Sequence, residues 1–535
     1  EVDHEKTKGV AMKYDVIIVG AGISGLTAAA FLARGGAKVL VCEQADKSGG
    51  LFSSFWHSGY CFDGGIKAIE NSSVMMPMLA QLGLLDEIQF EPSPVALIAG
   101  GKVQVVRNFG DIEAYFRILK ELYQDEAQGL DQILRDTKTI YEIMDGFLSF
   151  PIPFFDRPER GGDARSAWIK QHGSSLLKRS PKLFSFMHQE LRPYLQKYLH
   201  DLRLINLLSD LFPDGTSVFF GLGYFRMFLD YYYPHGGIQV VPQALENAIQ
   251  RWGGAFRFGA RVTGILLKGQ SARGVRLANG EEIEAEYTIA ANDLRQTLTR
   301  LVPEGILPKR FEHKLQAAKV SHSVFNVFLG LDQAPETLNF EGCAHVFYHP
   351  DMEGISEEDR INRDDYFTHV PQELSIPCMH QSGLAPEGKT GLVISAMTSW
   401  QFGGGWDRPQ PAYQKMKDRA TRELIMSLEK HIPRLGEHIE VCLSATPLTI
   451  ANRTSNSEGA IMGWSYHRGE AFSRGSFLQM NSSVYTPISR LLTAGHWTYS
   501  PGGSPVAVLT GKLAAEAVLH KVKQQNGEEE HGEDN

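Results

Sequence analysis

Tyr14-Asp-Val-Ile-Ile-Val-Gly-Ala-Gly-Ile-Ser-Gly-Leu-Thr-Ala-Ala-Ala-Phe-Leu-Ala-Arg34 holds a strand, a glycine turn and a helix in succession. The β-branched run Tyr14–Val19 suits a buried parallel strand, and Leu26–Arg34 is strongly helix-forming. Between them Gly20 permits a tight turn, Gly22 lets backbone approach a pyrophosphate, and Gly25 lets helix and strand pack closely. Amides at the helix start then face phosphate charge. A second strand, Lys38–Cys42, ends at Glu43, eighteen positions after Gly25, where a carboxylate can accept hydrogen bonds from ribose hydroxyls. Strand, glycines, helix, strand and acid in that order predict an α/β fold with a Rossmann-type dinucleotide-binding domain. By itself this fingerprint leaves FAD and NAD open.

With 535 residues, two or three domains are expected, each able to bury its own core. The chain is 43% hydrophobic and 21% charged, with no run of eighteen apolar residues to cross a bilayer. A net charge of -9 argues against a nucleic-acid binder, although the acidic tail at 528–535 contributes part of it. Cys42, Cys61, Cys343, Cys378 and Cys442 are scattered, odd in number and without CxxC spacing. They predict neither a disulfide framework nor a metal site, and a reducing, cytoplasmic setting. Residues 1–11 read as a loose extension before Met12, and 523–535 as a flexible end. No Ser-His-Asp order, HExxH or GxxxxGK[ST] points to hydrolase or NTPase chemistry.

Past Glu43 come Ser48-Gly-Gly-Leu-Phe-Ser-Ser54 and Tyr60-Cys-Phe-Asp-Gly-Gly-Ile-Lys67; later come Tyr233-Pro-His-Gly-Gly-Ile238, Leu491-Leu-Thr-Ala-Gly-His496 and Pro501-Gly-Gly-Ser-Pro-Val506. In these blocks the chain resembles the amine-oxidase-like flavoproteins of the phytoene desaturase, carotenoid isomerase and retinol saturase group. The resemblance implies FAD. It places the glycine turn (Gly20, Gly22, Ile23, Ser24, Gly25) and the acid corner (Glu43, Gln44) at the dinucleotide, with Gly49, Gly50, Leu51 and Phe52 along the pyrophosphate. Gly65, Ile66 and Lys67 would pass the flavin, and Val262 would offer backbone to adenine, with Asn292 returning to the cofactor. Gly495 and His496 would sit near the ribityl-phosphate, and Ser504, Pro505, Val506 and Ala507 would close over the flavin, the amides of Val506 and Ala507 near its pyrimidine. Many relatives carry Arg where this chain has Leu51, so phosphate contact is expected from elsewhere, including backbone amides alone. Lys67 is a second departure.

The same resemblance implies a discontinuous FAD domain of residues 12–75, 236–300 and 484–522, with an inserted α+β substrate domain of 76–235 and 301–483. A helix at Val241–Gln250, hairpin strands at Gly259–Leu267 and Ala272–Leu277, a strand at Glu286–Ala291, and a helix at Leu509–Val518 are expected. In the first insertion, Phe147–Phe155, Trp168, Lys170, Lys178, Arg179, Lys182, Phe184, Phe186, Arg192, Tyr194, Lys197, Tyr198, Arg203 and the aromatic stretch Val218–Tyr233 read two ways. They could line an apolar tunnel and settle 140–235 on the inner membrane face, or form an aromatic core with a solvated cationic face. Ser321–Asp332 reads as a strand and resembles the family's floor of the substrate cavity, and Ala445–Thr449 and Gly459–Ser465 resemble the family's returns toward the flavin.

What the resemblance implies is an FAD-dependent oxidoreductase of a carotenoid, polyene or isoprenoid lipid, exchanging electrons with quinone, oxygen or a separate carrier. Lys67 is the catalytic candidate, weighed against pairing with Glu70 or a phosphate; His496 reads as structural on the cofactor side and His235 as part of a turn. The rivals are an amine-type flavin oxidase with a compact aromatic cage, and a non-catalytic flavin-bound lipid carrier.

Overall fold

A computed structural model describes residues 14–148, 170, 181–350, 354–361, 363–472 and 477–532. Seven strands form a first sheet, in the order Ala255–Arg257, Val39–Cys42, Tyr14–Val19, Glu282–Ala290, Ser271–Leu277 and Val262–Lys268, with Leu491–Thr493 also paired to Glu282–Ala290. Tyr14–Val19 runs parallel to Val39–Cys42 and Glu282–Ala290, as do the outer pairings of Ala255–Arg257 and Leu491–Thr493. The last two strands of the sheet form an antiparallel ribbon.

Tyr14–Val19 can be apolar throughout because both faces of this sheet are covered. Val16 and Ile18 pack with Val39, Val41 and the helical layer, whereas Ile17 and Val19 pack with Leu40, Val262, Leu294 and Trp464 on the other side. The helix after the turn, Ile23–Arg34, is buried from Ile23 to Ala33. It lies against Val240–Arg251 and Ser504–Gly532. Its small residues set that closeness: a Cβ on Gly511 would come 2.4 Å from the Ser24 carbonyl oxygen.

Element boundaries move outward from the sequence reading. The first helix starts at Ile23 rather than Leu26, since Gly22 takes the extended N-cap conformation. The C-terminal helix starts at Ser504 rather than Leu509, with Pro505 in its first turn, where a missing amide costs nothing.

A second seven-stranded sheet has the order Ile439–Ala445, Ser323–Leu331, Thr390–Thr398, Gln372–Ser375, His345–Tyr348, Val95–Ala99 and Lys102–Val106. It thus draws on both insertions. A short sheet of Ile69–Glu70, Tyr231–Pro234 and Phe90–Pro92 brings the Lys67 region beside the chain entering Gly236-Gly237.

The aromatic insertion divides. From residue 149 the Phe147–Phe155 run lies outside the described residues, as do Trp168, Lys178 and Arg179. Of the described part, Phe186, Tyr194, Phe225 and Phe228 are core, together with Phe116 and Leu222. Lys182, Arg192, Arg203 and Arg226 each pair with a carboxylate, namely Asp136, Asp210, Asp201 and Asp145. These cations therefore stand in local ion pairs, with Lys182 and Arg203 still about half exposed. Among the described residues no helix is long and apolar enough to cross a membrane.

Candidate active site

The site begins at the glycine turn. Gly20 takes φ +103°, a conformation side chains resist, and a Cβ on Gly25 would fall 2.0 Å from the Gly20 carbonyl oxygen. By contrast a Cβ on Gly22 meets nothing within 4 Å, so this glycine leaves open space rather than filling a contact. No side chain caps the Ile23–Arg34 helix, whose first-turn amides have no intrahelical acceptor. Gly22 bridges to Gly49, and Gly49 donates its amide to the Ala21 carbonyl at 2.8 Å, which seats the second glycine pair on the first turn. Glu43 is fixed in turn: its Oε2 accepts the Ala21 amide at 2.7 Å and its Oε1 the Ala45 amide at 2.8 Å. Further lone pairs remain on both oxygens.

A cavity of about 740 Å³ opens here. Gly20, Gly22, Ile23 and Ser24 line it, as do Glu43, Gln44, Gly49, Gly50, Leu51 and Phe52. So do Gly65, Ile66, Lys67, Val262, Asn292, Gly495, His496 and the stretch from Ser504 to Ala507. Gly25 does not; it lies under the turn and packs against the Gly20 carbonyl. The Ala507 amide is also taken, donating to the Gly503 carbonyl at 3.0 Å because the helix starts early. Of the pair Val506 and Ala507, Val506 is the one whose amide can serve a ligand. Burial pushes His496 down to about 4, so it is neutral near pH 7, and its Nε2 is buried without a protein partner. An open glycine cradle, an uncapped helix and this unpaired nitrogen fit a phosphate-bearing dinucleotide.

Beyond the cradle the wall becomes aromatic and apolar. Helix Val218–Met227 turns Phe219, Phe220, Tyr224 and Met227 to the cavity while Val218, Leu222 and Phe225 stay in the core. Met144, Val324, Ile450, Ile461 and Met462 extend this wall.

Within it sits a polar cluster. Lys67 is 4% exposed and its Nζ donates to the Gly65 carbonyl at 3.0 Å and the Asp63 carbonyl at 3.4 Å. Burial lowers its pKa, with Glu373 and Asp63 opposing. Pairing with Glu70 is not what the structure shows, because Glu70 accepts the Ser72 hydroxyl while Glu373 supplies the carboxylate field at Lys67. Burial alone would raise Glu373, but the 2.8 Å contact with His345 and the charges of His345 and Lys67 hold it below the usual carboxylate range. Tyr224 and Tyr231 share a hydroxyl–hydroxyl hydrogen bond and both feel Glu70 and Glu373.

Burial, aided by Asp230 and opposed by the Ser72 hydrogen bond, pushes Glu70 up to about 7. The unfolded chain releases this proton above about pH 4.5 while the folded chain keeps it to about 7, so Glu70 takes stability away as pH rises across that window. Glu70→Gln is therefore expected to melt increasingly above wild type between pH 5 and 8, by up to roughly 3 kcal/mol. Parallel melting profiles for the two proteins would remove the argument.

Sequence reasoning missed Glu70, Glu373 and Arg453 as wall residues, and within the Val218–Tyr233 stretch it did not single out the Tyr224–Tyr231 pair. Glu373 and Arg453 lie in strands and helices with no motif around them. The absent cation at Leu51 was the one signal that something charged had to arrive from elsewhere.

A family model described as flavin containing amine oxidoreductase matches residues 23–519. The chain belongs to that family. Its cofactor is a flavin, and the glycine turn with its acid corner makes it the dinucleotide FAD. The flavoenzyme is 27% identical over 490 residues to a chloroplastic prolycopene isomerase of Daucus carota, covering 84% of this chain and 72% of that protein. It is 25% identical over 548 residues to the all-trans-retinol 13,14-reductase of Macaca fascicularis, covering 96% and 86%. A solved triple mutant of putrescine oxidase shares the fold, with a TM-score of 0.61, 15% identity and coverage of 95% and 99%.

Proposed function

We propose that this flavoenzyme acts on a long, apolar, unsaturated substrate, a carotenoid, polyene or isoprenoid lipid, in desaturation, double-bond reduction or cis-trans isomerisation. The observation that carries the reading is continuity: one cavity runs from the glycine cradle to the aromatic side of Val218–Met227. The likeness to a prolycopene isomerase and a retinol reductase over most of the chain supports it. FAD contacts fall on the cradle, Glu43–Gln44, Gly49–Phe52, Gly65–Lys67, Val262, Asn292, Gly495–His496 and Ser504–Val506. Sheet membership supports dividing the chain into a cofactor unit of 12–75, 236–300 and 484–522 and a substrate unit of 76–235 and 301–483. Electrons enter or leave through quinone, oxygen or a separate carrier.

FAD supplies hydride exchange with a substrate carbon when bound. The chain's own residues then have three tasks: to hold the carbon in line, to exclude water and to place one proton. The apolar wall does the first two. Lys67 does the third, holding its proton at Nζ between two carbonyls, with burial making that proton easier to release. Lys67→Met is expected to lower kcat about 100-fold and to remove one limb of the pH–rate profile. An unchanged profile would leave Lys67 a structural cation.

The carboxyls of Glu70 and Glu373 favour a second reading, a flavin oxidase of an amine. Anaerobic incubation of the reduced and oxidised protein with polyenes and with amines separates the two. Turnover with a polyene alone supports the first reading, turnover with an amine alone the second, and neither a redox change nor an altered substrate identifies a carrier.

A further inference from the structure

The glycine turn, the Gly49 amide and the Glu43 carboxylate give the cradle only neutral and negative groups. The turn Ser48–Ser54 contains no cation, and Glu43 stands on the cavity wall with Asp46 nearby in sequence. Amides and a helix end tolerate a pyrophosphate, but they do not neutralise two charges next to a carboxylate.

We propose that Arg453, carried on helix Pro447–Thr454, supplies the cation for the phosphates of the dinucleotide, reaching the cradle from the far side of the chain. The inference rests on the reading of the cavity as an FAD site. Arg453 lines that cavity, and its guanidinium donates to Ser53 Oγ at 2.8 Å within the second glycine segment. Its Nη1 stands 3.4 Å from where a Cβ on Gly64 would be, which places the charge between the Gly49–Ser54 turn and the Phe62–Lys67 segment. The helix end is pinned in place: Gln44 Nε2 donates to the Arg453 carbonyl at 3.1 Å, and Ser455 Oγ donates to Gln44 Oε1 at 3.0 Å. These two bonds tie Arg453 to the acid corner of the nucleotide fingerprint.

Electrostatics point the same way. Burial lowers the Arg453 pKa, and Asp46 and Glu43 make good only part of it. A guanidinium so placed gains from an anion in the cavity. Arg261 and Arg300 also line the wall, and Lys47 Nζ donates to the Ser54 carbonyl at 2.8 Å without lining the cavity; among the described residues Arg453 is the cation that both lines the cavity and donates into Ser48–Ser54.

The test is a titration of deflavinated protein with FAD and with riboflavin, which has the ring but no phosphate. Arg453→Gln is expected to weaken FAD about 10- to 100-fold and riboflavin less than about twofold. Arg453→Lys, which keeps the charge, should lose no more than about fivefold. Leu51→Arg in the Arg453→Gln background should restore most of the FAD affinity, because it returns a cation to the same turn, and it also covers the case in which the single variant folds poorly. FAD binding by Arg453→Gln at wild-type strength overturns the proposal. An equal loss of FAD and riboflavin overturns it too, since that marks a packing role through Ser53. Wild-type protein that binds riboflavin but not FAD would instead defeat the FAD reading on which the proposal stands.

Discussion

Gly22→Ala and Gly25→Ala are expected to fail in different ways, although both alter one turn. At Gly25 the new methyl would lie 2.0 Å from the Gly20 carbonyl oxygen and 3.1 Å from the Ala291 Cβ, so helix and strand must separate. Overpacking of this kind costs about 3 kcal/mol or more, because the opposing atoms are backbone and cannot rotate away. Gly25→Ala should therefore melt well below wild type and purify without flavin colour. At Gly22 the backbone is ordinary, φ -70° and ψ 172°, and the methyl meets no protein atom within 4 Å. Gly22→Ala should fold as the apoprotein does and still lose FAD, because the methyl occupies the space kept for phosphate. Melting curves with and without added FAD check both. A Gly22→Ala protein that binds FAD normally would show that the open space is not where the phosphate goes.

The second large effect is expected at Asp63, which is fully buried at the end of Tyr60–Asp63. Its carboxylate accepts Ser54 Oγ at 2.7 Å, Tyr233 Oη at 2.7 Å and the Ile238 amide at 3.3 Å. Burial raises its pKa while the Ser54 and Tyr233 hydrogen bonds pull it back. Removing the acceptor strands three buried donors and takes away a charge facing Lys67, for a loss of roughly 3–5 kcal/mol. Asp63→Ala should be the least stable of the variants at this site, and Asp63→Asn, which keeps one acceptor, should fall between it and wild type. Denaturant unfolding measures this. An Asp63→Ala midpoint near wild type would mean that the network adds little to the join between Tyr60–Asp63 and Tyr233–Ile238.

The parts of the site that the sequence made legible are local ones. Gly20, Gly22 and Gly25 act within one turn, and Glu43 follows at a fixed distance along the next strand, so spacing alone identifies them. Even there, depth was not legible: that Gly25 lies beneath the wall and Gly22 on it depends on which way each Cα faces. Periodicity could not settle the Val218–Met227 helix either, because aromatic residues occupy both its core side and its cavity side. Arg453 meets Ser53 across 400 positions, and the charge of Glu373 acts on Lys67 through a sheet whose strand order no local pattern encodes. Lys67 itself was marked by its motif, but its surroundings were not.

The pairing of Leu491–Thr493 with Glu282–Ala290 has a consequence for how the protein is made. The glycine turn and the stretch Gly495 to Ala507 line the same cavity, and a ribosome releases the turn well before that stretch. A nascent chain thus carries a nucleotide fingerprint long before it has a nucleotide site. If FAD fills this cavity, flavin colour is a proofreading mark, expected only of chains whose synthesis has run past residue 507.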